Sequence, residues 1–285
     1  MGITSFVKPL SFEEYKEKYK EHFVIERKDG IIMLRGHTQG KSIMWSPEIH
    51  RAIHQVIRDI GSDPENEVMI FTGTGKYWIG HMAKSGVDTD FDEAKQRQWG
   101  SYNIQYIDGT KIVENLILDL EIPTIGAING PGFHSEMLLM CDLTICTEDT
   151  IILDPHMKAG LVSGDGFHCA LQGLLNPKRA AYAMLTSQPF DAKKALEFGL
   201  VNEVVPKDKI YDRAWELGKE FMKFDRFQRR LMVHIMRKPW KRRIVEDLRD
   251  GFAHEMFSYN VTHTLHDPAE RKKLLKSAGI DVEDR

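Results

Sequence analysis

The 285-residue sequence is poor in several features that would have settled its class at once. It has only three cysteines, Cys141, Cys146 and Cys169, an odd number set in apolar stretches without CxxC spacing. That excludes a disulfide framework and a cysteine-rich zinc fold, and it points to a reducing setting. No stretch approaches the roughly 18 apolar residues of a membrane span. The N-terminus also lacks a basic region followed by an apolar one, so a cytoplasmic protein without a membrane partner is expected. Charge of one sign is scarce too: 39 basic residues face 42 acidic ones, for a net −3, and no overall field draws the chain to nucleic acid. The one basic run, Lys238-Pro239-Trp240-Lys241-Arg242-Arg243, is answered at once by Glu246, Asp247 and Asp250 and reads as a solvated helix start. HExxH and nucleotide-binding glycine patterns are absent, because Gly73-Thr74-Gly75 and Gly130-Pro131-Gly132 are too short to be either fingerprint. Neither a metal nor a cofactor is implied. Repeats, low-complexity tracts and Pro/Gly/Ser linkers are missing as well, which leaves no reason to divide the chain into independent folding units.

What is present suits a soluble enzyme-sized body, with 42% hydrophobic and 28% charged residues. Ser11 and Glu14 have capping-box spacing before a short charged helix over residues 13–20, expected to pack outside the core. Phe23-Val24-Ile25 and Ile31-Ile32-Met33-Leu34 flank Asp29-Gly30, a favoured two-residue turn, and predict a hairpin. Ser46 can cap and Pro47 can start a helix whose apolar face is Ile49, Ala52, Ile53, Val56, Ile57 and Ile60, with Gly61 just past its end. Strands follow at Val68-Met69-Ile70-Phe71 and Thr124-Ile125-Gly126-Ala127-Ile128, separated by a long helical segment ending near Glu121. Such alternation implies βαβ units and a largely parallel sheet. From Pro177 onward the pattern is helical apart from residues 200–205.

Three segments resemble the crotonase, or enoyl-CoA hydratase/isomerase, superfamily in order and spacing. The first is Phe71-Thr72-Gly73-Thr74-Gly75-Lys76-Tyr77-Trp78. The second runs from Ala127-Ile128-Asn129-Gly130-Pro131 through Glu136 to Cys141-Asp142. The third is Leu185-Thr186-Ser187-Gln188 with the stretch 192–205. The resemblance implies an α/β crotonase (ClpP/crotonase-like) fold of repeated ββα units with a helical C-terminal region. It divides the chain into an N-terminal helical extension (1–22), an α/β core (23–206) and a C-terminal helical trimerisation region (207–285).

The departures from the pattern are as informative. CoA-using members usually carry Ala-Gly-x-Asp where this chain has Gly80-His81-Met82-Ala83, and three glycines where it has Gly132-Phe133-His134-Ser135. Glycines there let the backbone approach a thioester oxygen, so a histidine alters the loop's use. A hydratase glutamate position is occupied by the imidazole of Asp154-Pro155-His156, and Ser163-Gly164-Asp165-Gly166 adds an acid nine residues on. This set resembles the β-diketone hydrolases typified by 6-oxocamphor hydrolase, whose tryptophan, first histidine, histidine–aspartate dyad and late glutamate fall on Trp45, His134, His156, Asp165 and Glu255.

That resemblance implies retro-Claisen hydrolysis of a C–C bond in a small cyclic 1,3-diketone. His156 is expected as the base and Asp165 as its orienter, since a carboxylate on the second ring nitrogen sets the tautomer. Trp45 and His134 are expected to hold the enolate, and Glu255 to hold the attacking water. Gly80, His81, Phe133 and Trp78 are expected to line the substrate pocket, with Phe167 adding to its apolar character. Glu136 is read as a helix-start carboxylate outside this machinery, and it is the residue on which a rival acyl-CoA hydratase or isomerase would depend. A crotonase-fold binding subunit without catalysis is the third possibility. Family likeness also implies a homotrimer or a dimer of trimers, to which the amphipathic stretch 244–259 is suited.

Overall fold

The computed structural model describes residues 7–83 and 96–262, the single positions Ala269, Lys273 and Lys276, and the strand Asp281–Glu283. Helix α1 (Phe12–Lys18) starts at Ser11 with both capping-box hydrogen bonds in place. It does not lie outside the core: Tyr15 and Tyr19 are buried in the main apolar cluster, and their hydroxyls donate to Asp63 and Asp59. The sequence pattern there looks charged because only Tyr15 and Tyr19 are fully buried, with Leu10 and Phe12 half-buried against the same cluster.

Strands β1 (Phe23–Lys28) and β2 (Ile31–Gly36) form the expected hairpin, with Asp29 and Gly30 both at positive φ in the turn. Strand β3 (Ile43–Trp45) leads into α2 (Pro47–Ser62), which runs one residue past Gly61 and buries the six predicted apolar residues. Strands β4 (Val68–Gly73) and β5 (Ile79–Ala83) precede a continuous helical run, made of π-helical Gln96–Ile107, α3 (Asp108–Glu114) and π-helical Asn115–Asp119. Strand β6 (Thr124–Ile128), helix α4 (Glu136–Leu139) and strands β7 (Leu143–Thr147) and β8 (Ile151–Ile152) come next, then α5 (Phe167–Leu174) and α6 (Pro177–Thr186). The chain continues through β9 (Phe190–Asp191), α7 (Ala192–Glu197), β10 (Glu203–Val205), α8 (Ile210–Met222), α9 (Arg226–Met236), α10 (Lys238–Arg243), π-helical Ile244–Leu248, α11 (Arg249–Val261) and β11 (Asp281–Glu283).

The main sheet has the order β1-β2-β4-β6-β7-β10, parallel except for the β1–β2 pair. A second parallel sheet has the order β11-β5-β3, and β8 pairs with β9. In each of the first two repeats one strand (β2, β4) joins the large sheet and the next (β3, β5) joins the small one before a helix returns. The crotonase fold with its ββα repeats and helical C-terminal part is therefore present. The basic run is the helix α10, and the α9–α10 junction is pinned to the core by buried Arg237. Its guanidinium pairs with Asp142 and donates to the carbonyls of Leu116, Leu120 and Ile122. Beyond this anchor, α11 packs on the helical run, with Phe252 against Gly109, and on the loop at Gly164.

Candidate active site

The loops that leave the strands converge on one cluster of buried imidazoles and carboxylates. His134 precedes α4 with φ +54, a left-handed conformation uncommon for a residue with a side chain. Trp78, expected to line the pocket, holds this turn from behind. Its side chain is wholly buried and its indole N–H donates to the His134 carbonyl at 3.1 Å. The strained loop points the imidazole inward, where Nδ1 lies 2.9 Å from Glu136 Oε1 and 3.0 Å from Asp165 Oδ2. Glu136, the first residue of α4, is only 2% exposed. It is thus inside the site and not a bystander at a helix start, as the sequence suggested.

His156 follows β8 and is buried. Its Nδ1 is 2.6 Å from Asp154 Oδ1, which also accepts the His156 backbone N–H at 3.1 Å. Asp165 was expected on the orienting nitrogen, and this is corrected: Asp154 takes Nδ1, while Asp165 faces Nε2 at 3.5 Å. Glu255 Oε1 stands on the same side, 3.7 Å from Nε2. Asp165 Oδ2 therefore lies between the two histidines. Its own Oδ1 accepts the Phe167 N–H at the start of α5.

Glu255 reaches the cluster because two glycines let α11 dock closely. A Cβ on Gly164 would lie 2.1 Å from the Gly251 carbonyl oxygen, and one on Gly251 would lie 2.4 Å from His168 Nε2. The Gly164 N–H also donates to Glu255 Oε2 at 3.1 Å. The loop bearing Asp165 and the helix bearing Glu255 are consequently locked together.

Trp45, at the end of β3, meets the site through its ring face. It stacks on His134 with centroids 4.1 Å apart, while Phe133 packs edge-on 6.5 Å away. His50, on α2, has its ring centroid 5.1 Å from that of Trp45, and its Nδ1 is 2.8 Å from the Ile104 carbonyl oxygen. A small cavity beside His134 is lined by Trp45, His50, Glu136, Asp165 and Phe252. Gly80 lies in β5 beside the Tyr77 ring, and the His81 side chain falls outside the described residues. Phe167 is buried in the apolar core at the start of α5.

The electrostatics of the cluster follow from who faces whom. Burial opposes charge on His134, but the Glu136 and Asp165 carboxylates outweigh it and push the imidazole up to about 10. Burial likewise opposes charge on His156, yet Asp165, Glu255 and Asp154 together raise it well above the ordinary histidine value. Burial would raise Asp165, but the facing His156 and His134 hold it well below the usual carboxylate range. Glu255 is pushed up to about 8, first by burial and then by Asp165, against the pull of His156. Glu136 is raised by burial and by Asp165. His50 goes the other way, down to about 4, through burial and repulsion from His134. The site thus combines imidazoles that hold protons with a carboxylate that does not, a division suited to acid–base chemistry.

Sequence reasoning missed Asp154 and His50 and placed Glu136 outside. Asp154 was visible as the residue two before His156, a spacing that allows an aspartate to accept a backbone N–H. His50 sits among the apolar positions of α2, and nothing in the helical pattern distinguishes it.

The enoyl-CoA hydratase/isomerase family model matches residues 31–270. A hydroxycinnamoyl-CoA hydratase-lyase of Pseudomonas fluorescens is 26% identical over 70% of this chain and 71% of its own length. A carnitinyl-CoA dehydratase of Citrobacter koseri is 28% identical over 59% of the chain and 62% of its own, slightly under two thirds of that relative. Among solved structures, a β-diketone hydrolase of the cyanobacterium Anabaena sp. PCC 7120, bound to (S)-3-oxocyclohexyl acetic acid, is 33% identical with a TM-score of 0.78, covering 87% of this chain and 98% of that one. An enoyl-CoA hydratase/isomerase from Mycobacterium paratuberculosis shares the fold at 19% identity and a TM-score of 0.75, covering 90% of this chain and 98% of its own. With most of its length matched by the family model, the chain belongs to the enoyl-CoA hydratase/isomerase family and is an enzyme of the crotonase superfamily.

Proposed function

We propose that the enzyme is a β-diketone hydrolase that opens a cyclic 1,3-diketone by retro-Claisen cleavage of a C–C bond. The observation that carries this reading is the placement of Asp165 Oδ2 between His134 Nδ1 and His156 Nε2, at 3.0 and 3.5 Å. Two imidazoles bridged by a carboxylate supply a base on one side and a proton donor on the other. The likeness to the Anabaena β-diketone hydrolase supports it.

In this mechanism His156 Nε2 takes a proton from water as the water oxygen bonds to one carbonyl carbon. Asp154 keeps Nδ1 protonated, so the lone pair belongs to Nε2. The tetrahedral adduct collapses to a carboxylic acid, and the bond to the carbon between the two carbonyls breaks. Its electron pair passes to the second carbonyl as an enolate. His134 presents Nε2–H to that enolate oxygen, while its Nδ1–H is satisfied by the carboxylates. Return of a proton to carbon completes a keto acid. The Trp45 face beside His134 favours the imidazolium, because an aromatic face attracts a cation. Glu255 Oε1 accepts from the attacking water.

A second reading, an acyl-CoA hydratase or isomerase, is favoured by the presence of Glu136 in the site and by the CoA-dependent curated relatives. The non-catalytic reading has less support, since a cluster of perturbed acids and bases is costly to fold without a use. Turnover of cyclic 1,3-diketones measured beside hydration of crotonyl-CoA separates all three. Diketone cleavage without hydration is expected, and the reverse result would transfer the assignment to the second reading. We place the enzyme in the cytoplasm, in line with three free buried cysteines, and assemble it as a homotrimer or dimer of trimers. The exposed apolar row Phe227, Leu231 and Ile235 along α9 supports self-association.

A further inference from the structure

Folding also assembles a donor set that no sequence spacing announces. His156 Nε2, Asp165 Oδ2 and Glu255 Oε1 all lie within 4.8 Å of one another, with Nε2 3.5 Å from the first carboxylate and 3.7 Å from the second. Zinc ligands at about 2.0–2.1 Å in a tetrahedron stand roughly 3.4 Å apart, so a small inward movement closes the set. Asp165 Oδ2 is buried, with His134 Nδ1 facing it at 3.0 Å on one side and His156 Nε2 at 3.5 Å on the other. Its side toward His156 and Glu255 is the place a cation would take.

The outer contact has the right chemistry too. A histidine that ligates a metal ordinarily donates its other ring N–H to a carboxylate, and His156 Nδ1 meets Asp154 at 2.6 Å. The neighbouring triple of His134, Glu136 and Asp165 lacks this arrangement, because there the donor nitrogen Nδ1 is itself hydrogen-bonded to Glu136. Four carboxylates surround two imidazoles, a buried set of nitrogen and oxygen donors suited to a divalent cation.

We propose that His156, Asp165 and Glu255 form a binding site for a zinc-like divalent cation, which competes with protons and reversibly blocks hydrolysis by capping His156 Nε2. The binding half stands on geometry, and only the inhibitory half rests on the diketone reading.

Titration of the full chain with Zn²⁺ by calorimetry, in buffers of different ionisation enthalpy, tests the binding half. One ion per chain is expected, with proton release and weaker binding as pH falls. Asp165→Asn, Glu255→Gln and Asp154→Asn should each weaken binding by about 10–100-fold, whereas Glu136→Gln should leave it within a few-fold. An anomalous diffraction peak at the zinc edge should lie between the three named atoms. Absence of binding, a peak elsewhere, or affinity unchanged in both Asp165→Asn and Glu255→Gln would overturn the site. Saturating Zn²⁺ should abolish diketone cleavage and a chelator should restore it; unaffected turnover would overturn the inhibitory half. If no diketone is cleaved while zinc still binds at these atoms, the proposed function fails and the cation site stands.

Discussion

His156 Nδ1 lies 2.6 Å from Asp154 Oδ1, so the ring is held by the residue two positions before it. The same oxygen accepts the His156 backbone N–H, which ties the side-chain orientation to the local turn. The expected consequence is that Asp154→Asn lowers kcat by about 10²–10⁴-fold while KM changes little, because the amide can present N–H₂ to Nδ1 and favour the wrong tautomer. Steady-state kinetics with the fold checked by circular dichroism would measure this. Near wild-type kcat would remove Asp154 from its positioning role.

The pH profile should be displaced to the alkaline side. His156 must lose its proton to act as base, and although burial opposes its charge, Asp165, Glu255 and Asp154 raise it well above 6.5. Activity therefore increases as pH rises through that value. Glu255, at about 8, is 3.7 Å away, so the acid limb of kcat/KM belongs to the pair. His134 must keep its proton to hold the enolate, which places the alkaline limb near its value of about 10. A profile already falling between pH 7 and about 8, below the Glu255 value, would contradict these roles.

Glu136→Gln separates the two functional readings. Glu136 is the largest of the groups that raise His134, so its neutral replacement should move the alkaline limb down from about 10 and lower kcat moderately. Crotonyl-CoA hydration should be undetectable before and after. Were the substitution to abolish hydration and spare diketone cleavage, Glu136 would be serving a thioester.

The fold was largely legible in the sequence because its signals are local: the Ser11/Glu14 capping box, the Asp29-Gly30 turn and the apolar face of α2 each depend on residues a few positions apart. Packing was less so. Nothing in a charged leader distinguishes Tyr15 and Tyr19 as core residues until α1 docks on β1 and α2. The same limit applies to the site. Trp45, His134, His156, Asp165 and Glu255 do converge, but which carboxylate meets which ring nitrogen depends on angles among loops from five parts of the chain. The exchange of Asp154 for Asp165 on Nδ1, and the entrance of Glu136, are of that kind.

Arg237 should matter for stability and not directly for chemistry. It is 1% exposed, pairs with Asp142 and donates to three carbonyls that close the helical run before β6. Arg237→Ala leaves the buried Asp142 carboxylate without its counter-charge, with the Thr124 N–H and hydroxyl still donating to it, and takes a donor from those carbonyls, a loss of about 3–5 kcal/mol when one partner of a buried pair is removed. Denaturant unfolding should show it. A change below about 1 kcal/mol, the worth of an exposed pair, would mean that water reaches the site and that the anchor is dispensable.

The most direct test of the chemistry is to compare His156→Ala with Asp165→Asn. His156→Ala removes the base and should cost at least about 10²–10⁴ in kcat, with substrate binding retained. Asp165→Asn acts on both imidazoles at once, since Oδ2 faces His134 Nδ1 at 3.0 Å and His156 Nε2 at 3.5 Å. Loss of that charge should lower the pKa of each histidine, because Asp165 raises both. The sign is definite: the acid limb moves to lower pH as His156 sheds its proton more easily, and the alkaline limb moves down as His134 does the same. The whole profile should therefore slide toward acid while its height falls, whereas a purely structural defect would lower the height and leave both limbs in place. Two limbs unmoved in Asp165→Asn, or near wild-type turnover in His156→Ala, would show that water is activated by some group other than the histidine and that Asp165 does not couple the two rings.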